Sequence, residues 1–154
     1  MTGAAGQSDR LLLTDARRWV IKVGSALLTN DGRGLDASVV KMLADQLVAL
    51  RSRGRDVVLV SSGAIVAGLA RLDLTERPRE VHLSQAAAAV GQSALVRAYE
   101  EHLSPHSVTT AQILLSHADV RARDRYLNAR STLSTLLAMN VLPIVNENDT
   151  VVTA

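Results

Sequence analysis

Three polar clusters interrupt an otherwise apolar chain, each directly after a short run rich in β-branched residues: Lys22 with Gly24-Ser25, Ser61-Ser62-Gly63, and Asn146-Glu147-Asn148-Asp149. A lysine inside the run Val20-Ile-Lys-Val23 must either carry its ammonium past the strand end or meet an anion. The glycine after it lets backbone N–H groups approach a ligand closely, which suits phosphate. Ser62 and Gly63 fall where a strand gives way to a helix, and hydroxyls with free N–H groups there suit a carboxylate or phosphate. Asn146 and Asp149 offer an amide oxygen and a carboxylate, acceptors for an ammonium group. Each cluster also has a plainer reading: a snorkelling lysine, a serine N-cap, and solvated loop acids.

Several common chemistries lack their residues. The chain has neither G-x-x-x-x-G-K-[ST] nor G-x-G-x-x-G, which weakens P-loop and dinucleotide readings. Ser61-Ser62-Gly63-Ala64 lacks the G-x-S-x-G elbow of a serine hydrolase. With no cysteine there is no thiolate catalysis and no disulfide, and His82, His102, His106 and His117 show no ligand spacing, so no metal site is expected.

Composition points to an ordinary globular domain. Hydrophobic residues make up 47% and charged residues 21% of 154 residues, enough to bury roughly 68–70% of the unfolded surface. The net charge is only +2, with Lys and Arg scattered among acids, and aromatics are 2%. No nucleic-acid partner is therefore expected. No apolar run reaches the roughly 18 residues of a membrane span, and Leu11-Leu-Leu13 is too short for a signal peptide, so no membrane partner and a cytoplasmic location are expected.

The elements that must position the clusters alternate. Residues 1–16 read as a flexible lead-in and residues 17–154 as one layered unit. A strand ends at Val23, a polar loop follows at residues 30–34, and Val39, Val40, Leu43, Leu47 and Leu50 repeat at helical spacing up to Gly54. Asp56–Val60 reads as a strand with a helix after it to about Leu72, residues 82–103 as a long alanine-rich helix, and Val108–Leu115 as a strand. Residues 124–139 read as a helix and Val141–Val145 as the last strand. This alternation requires an α/β fold: a largely parallel sheet sandwiched between helices. All three clusters then fall at the carboxyl ends of parallel strands, where such sheets bind ligands. A phosphate loop, a carboxylate site and an amine clamp together suit an amino acid undergoing phosphorylation.

At that point the chain resembles the glutamate 5-kinases of the amino acid kinase family, from about Arg18 onward. The resemblance is carried by Val20-Ile-Lys-Val-Gly-Ser25, Val60-Ser-Ser-Gly-Ala-Ile65, Ala89-Val-Gly-Gln92, Tyr126-Leu-Asn-Ala-Arg130 and Pro143-Ile-Val-Asn-Glu-Asn-Asp149. It implies transfer of the ATP γ-phosphoryl group, with Mg2+, to the side-chain carboxylate of L-glutamate, the first step of proline synthesis. It also implies proline as feedback inhibitor. Under it Lys22 is catalytic, Gly24 and Ser25 form the phosphate loop, and Ser62, Gly63, Asn146 and Asp149 bind glutamate. Gln112, Glu147 and Asn148 are secondary pocket residues, and Tyr126–Arg130 contributes to inhibition.

The family's second Gly-Asp-Asn-Asp cluster, Thr-Asp nucleotide motif and second catalytic lysine have no counterpart here. The expectation is an incomplete amino acid kinase fold: the glutamate-binding half, cut before the ATP-binding lobe and unable to turn over alone. The alternative is an inactive glutamate- or proline-binding regulatory module. An exposed apolar sheet edge near Val141–Val145 and a homo-oligomer are also expected.

Overall fold

The computed structural model describes residues 14–30 and 33–151, so most of the expected lead-in lies outside the described residues. The strands are β1 (Arg18–Val23), β2 (Asp56–Ser61), β3 (Thr110–Leu115) and β4 (Leu142–Glu147). The helices are α1 (Ser25–Leu28), α2 (Ala37–Ser52), α3 (Ala64–Arg71), α4 (Val81–Leu103), α5 (His117–Arg121) and α6 (Arg123–Ala138), with a 3₁₀ turn at Ser104–His106. All strand pairs are parallel, in the order β1-β2-β4-β3. The fold is the α/β class expected from the alternation of elements.

Local chemistry sets the boundaries. Asp36 caps α2 by accepting from the Ser38 and Val39 N–H groups. The Ser38 hydroxyl, then the Val39 and Ser38 N–H groups, hold its carboxyl below the ordinary value. Gly54, at φ 71°, turns the chain out of α2. Helix α5 was not anticipated, although Ser116 and Asp119 have the spacing of a capping box. Ser116 Oγ accepts from the Asp119 N–H while Asp119 accepts from the Ser116 N–H at 2.7 Å. Asn140, at φ 58°, makes the turn from α6 into β4, held by Arg51 Nη2 donating to its backbone oxygen at 2.6 Å and its Oδ1 at 2.7 Å.

The core lies between the sheet and α2 and α4. Val23, Leu59 and Ile144 on the strands pack with Leu43 and Leu47 of α2 and with Leu95, Tyr99 and Leu103 of α4. Helix α6 flanks the opposite sheet face but buries no residue fully, and Val20 on that face stays 65% exposed.

The expected exposed edge at Val141–Val145 is not found. β4 lies inside the sheet, between β2 and β3, and Leu142, Pro143 and Ile144 are buried. The reason is topological: the connection from β2 through α3 and α4 skips one position before β3, and β4 fills the gap between them, so the last strand in sequence is an inner strand in space. The edges are β1 and β3.

Helices α3 and α4 touch backbone to backbone. A Cβ on Gly68 would lie 1.7 Å from the Ala87 carbonyl oxygen, and one on Gly91 would lie 1.7 Å from the Ala64 carbonyl oxygen. No side chain fits without prising the helices apart. Gly91→Ala is therefore expected to cost about 3 kcal/mol or more, whereas Gly54→Ala, with open space around its Cβ, should cost only about 1–2 kcal/mol for its left-handed backbone. Urea unfolding of both variants checks this, and equal losses would contradict the packing argument.

Candidate functional site

The strand register decides which of the clustered residues share a face. Val23 pairs with Ser61, Val60 with Val145, and Leu114 with Asn146. Side chains alternate along a strand, so Val23, Ser61 and Asn146 face α4, while Lys22, Val60, Val145 and Glu147 face the other way. The carboxyl edge of the sheet therefore carries polar groups in two layers.

On the α4 side, Asn146 is buried and its Nδ2 donates to Gln92 Oε1 at 2.8 Å. Gln92 Nε2 is buried without a partner. Beside it, the Ser61 and Tyr99 hydroxyls lie 3.2 Å apart. Burial pushes the Tyr99 phenol above its ordinary pKa, and the hydrogen bond to Ser61 opposes that rise.

Ser62 ties two strand ends together. Its N–H and its hydroxyl both donate to the Val23 carbonyl, at 3.1 and 2.9 Å. It does not cap α3, since the N-cap is Gly63 at φ 104°, with no side-chain bond. The hydroxyl proton of Ser62 is thus committed to the backbone, and its oxygen can face a ligand only as an acceptor. Gly63 is buried in a left-handed conformation that an L-residue adopts only with strain.

Lys22 is exposed and makes no ion pair or hydrogen bond among the described residues. Its Nζ folds back over the turn, 3.9 Å from where a Gly24 Cβ would stand. Gly24 precedes α1, whose first residue is the exposed Ser25. On the same layer Glu147 Oε1 lies 3.9 Å from His117 Nε2, beside a cavity of about 210 Å³ that Val60 and Val145 also line.

The loop after β4 turns Asp149 toward a groove of about 290 Å³ shared with Arg77, Arg79, Ser84 and Gln85. Burial raises the Asp149 pKa, the Glu147 carboxylate raises it further, and Arg77 pulls it back. Asn148 holds the loop through its N–H, which donates to the Leu115 carbonyl at 2.9 Å, and its Oδ1, which accepts from Thr150.

Not every anticipated residue joins this edge. Gln112 stands in the middle of β3, opposite Ile144 and exposed, away from the strand ends. Tyr126 and Arg130 lie on α6, along a separate cavity of about 450 Å³ under that helix. Arg77 and Gln92, by contrast, were not assigned to a site from the sequence, Gln92 being named only within the Ala89–Gln92 signature. Gln92 had a readable signal, as the one amide in the apolar stripe Ala88, Gln92, Leu95, Tyr99 on α4. Arg77 sits in an irregular charged loop and had none.

The amino acid kinase family model matches residues 17–154. The glutamate 5-kinase of Paraburkholderia phymatum is 61% identical over 144 residues, covering 94% of this chain and 39% of that protein. That of Saccharophagus degradans is 60% identical over 146 residues, covering 95% of this chain and 39% of that protein. The chain thus spans about two fifths of the length of the curated relatives it matches. Among solved structures, the UMP kinase of Ureaplasma parvum superposes with a TM-score of 0.50 at 19% identity, over 84% of this chain and 55% of that one. That likeness concerns the fold.

The raised Asp149 pKa has a definite sign in stability. Its folded-state pKa lies above the unfolded one, so the ionised carboxylate opposes folding at pH above the folded value, and that cost is relieved as pH falls through it. Asp149→Asn should therefore be at least as stable as the parent at neutral pH, with the difference shrinking on acidification. Thermal melts across the acid range test this; a variant less stable at neutral pH would contradict it.

Proposed function

The chain belongs to the amino acid kinase family, and we propose that it supplies the acceptor-binding portion of a glutamate 5-kinase, the enzyme class that places the ATP γ-phosphoryl group on the side-chain carboxylate of L-glutamate. The observation that carries this reading is the free Lys22 ammonium and the Asn146–Asp149 segment at the same sheet edge, on β1 and beyond β4. One strand separates β1 from β4, so their backbones run about 10 Å apart. That separation suits an amino acid together with the phosphoryl group it receives.

In this reading Asn146 Oδ1 and the Asp149 carboxylate accept from the α-ammonium group, and Asp149 faces a groove large enough for an amino acid. The N–H groups that open α3 after Gly63 hold a carboxylate, while Ser62, whose hydroxyl proton is held by the Val23 carbonyl, offers its oxygen as an acceptor to the ammonium group. Lys22, with the Gly24-Ser25 turn, stabilises the charge on phosphoryl oxygens as a glutamate carboxylate oxygen bonds to phosphorus and ADP leaves. Glu147 and Asn148 shape the loop, and Gln112 contributes from the flank.

ATP fits the residues present only through Lys22 and Gly24. For Mg2+, the described residues contain no cluster of three His, Asp or Glu side chains able to hold an ion, so no step is assigned to it here. A place in proline synthesis, inhibition by proline, self-association and a cytoplasmic setting belong to the same proposal. Support for them is the sequence identity to glutamate 5-kinases and, for the last, that no described helix is long and apolar enough to cross a membrane.

Calorimetry of this chain with L-glutamate tests the reading. Saturable binding without turnover in the presence of ATP and Mg2+ is expected. Asp149→Asn should weaken binding about 10- to 100-fold, the value of a charge-assisted hydrogen bond of about 1.5–3 kcal/mol. Lys22→Met should leave glutamate affinity nearly unchanged, because the lysine serves the phosphoryl group. No glutamate binding by the parent chain would overturn the proposal, and proline binding in place of glutamate would favour a regulatory module.

A further inference from the structure

Gln92 is one of the few polar side chains buried in this molecule, and one of its amide atoms is spent on nothing. It lies on α4 next to Gly91, whose contact with Ala64 leaves the helix no freedom to withdraw. Its Oε1 accepts from Asn146 Nδ2, while its Nε2 is buried without a partner. An unsatisfied buried donor costs about 1–3 kcal/mol, and a pair of apolar side chains of the same shape would avoid that cost. The amide pair is therefore poorly explained by folding alone.

Its geometry suggests another purpose. An asparagine amide has two ends of opposite character, a donor and an acceptor, and nothing in the side chain itself chooses which end faces a ligand. By presenting an acceptor, Gln92 draws the Asn146 NH2 group inward and leaves Asn146 Oδ1 as the unpaired end. The crevice that Gln92 lines runs beneath Glu147, Asn148 and Asp149. Asn146 Oδ1 and, three residues further along the same segment, the Asp149 carboxylate are both acceptors, and they suit the same kind of ligand group, one that donates.

We infer that Gln92 is a positioning residue that determines specificity: by fixing the Asn146 amide, it makes the site select a primary ammonium group and reject analogues that lack it. The inference rests on the glutamate-binding reading above. Gln92 acts through Asn146 and is not assigned a contact with substrate. A swapped amide would present NH2 to the α-ammonium, replacing an attraction with a repulsion between donors.

The experiment compares L-glutamate with glutarate, which keeps both carboxylates and lacks the amine, by calorimetry on the chain and two variants whose folding is checked by circular dichroism. The parent should prefer glutamate. Gln92→Leu removes the acceptor, so the preference should fall about tenfold, equivalent to about 1.4 kcal/mol. Gln92→Glu keeps an acceptor for Asn146 Nδ2 and should retain most of the preference even if the Leu variant fails to fold. Unchanged preference in Gln92→Leu, or a preference lost equally in Gln92→Glu, overturns the inference while leaving glutamate binding by the parent intact. A parent chain that binds no glutamate overturns the underlying reading and this inference with it.

Discussion

Everything at the carboxyl edge of this sheet depends on two glycines that let α3 and α4 meet without side chains between them. Gly68 and Gly91 bring the helix backbones to a separation at which even a methyl group would overlap a carbonyl oxygen. A close helix pair fixes α4 in translation as well as in angle. Because Gly91 precedes Gln92, the same contact sets where Gln92 meets Asn146, and two helical turns on it sets where Tyr99 meets Ser61. The N-terminal end of α3, at Gly63, is held by the same helix pair. One steric constraint thus positions residues from three separate stretches of sequence.

The sheet order supplies the second dimension. With β4 between β2 and β3, the polar segment that follows it emerges near the middle of the edge, one strand away from Lys22. Had β4 been an outer strand, the ammonium of Lys22 and the acceptors of residues 146–149 would stand on opposite flanks. Alternation along the strands then divides the groups into two layers, with Lys22 and Glu147 on one and Ser61 and Asn146 on the other. A ligand lying across the edge is accessible to both.

Much of this was legible in the sequence, for physical reasons that also explain what was not. The strands and the long helices announce themselves through periodicity, because burial on one face demands it: Val40, Leu43 and Leu47 on α2 show this directly. The order of strands leaves no such mark, since parallel crossovers are free to skip a position, and the last strand in sequence was therefore mistaken for an edge. Ser62 could be recognised as a residue at a strand end, but its hydroxyl bond to the Val23 carbonyl depends on a neighbour 39 residues away. Gln112 and Gln92 carry the same amide. Only the fold shows that one stands exposed in mid-strand and the other is buried against Asn146.

The distribution of buried polarity gives the edge its meaning. Among the described residues, the buried polar side chains are Ser61, Gln92 and Asn146, and the hydroxyl of Tyr99 joins them through its contact with Ser61. All gather where the sheet meets α4 at its carboxyl end, while the rest of the core is hydrocarbon. Polar groups in a core lower stability unless fully paired, and one here is not. A chain selected for folding alone would have filled these positions with apolar side chains, as it has at the buried positions Val57, Val58, Leu59, Leu142 and Ile144 of the same strands. The local departure from that rule, confined to two positions of one helix and the carboxyl ends of two strands, marks the place where binding has been favoured over packing.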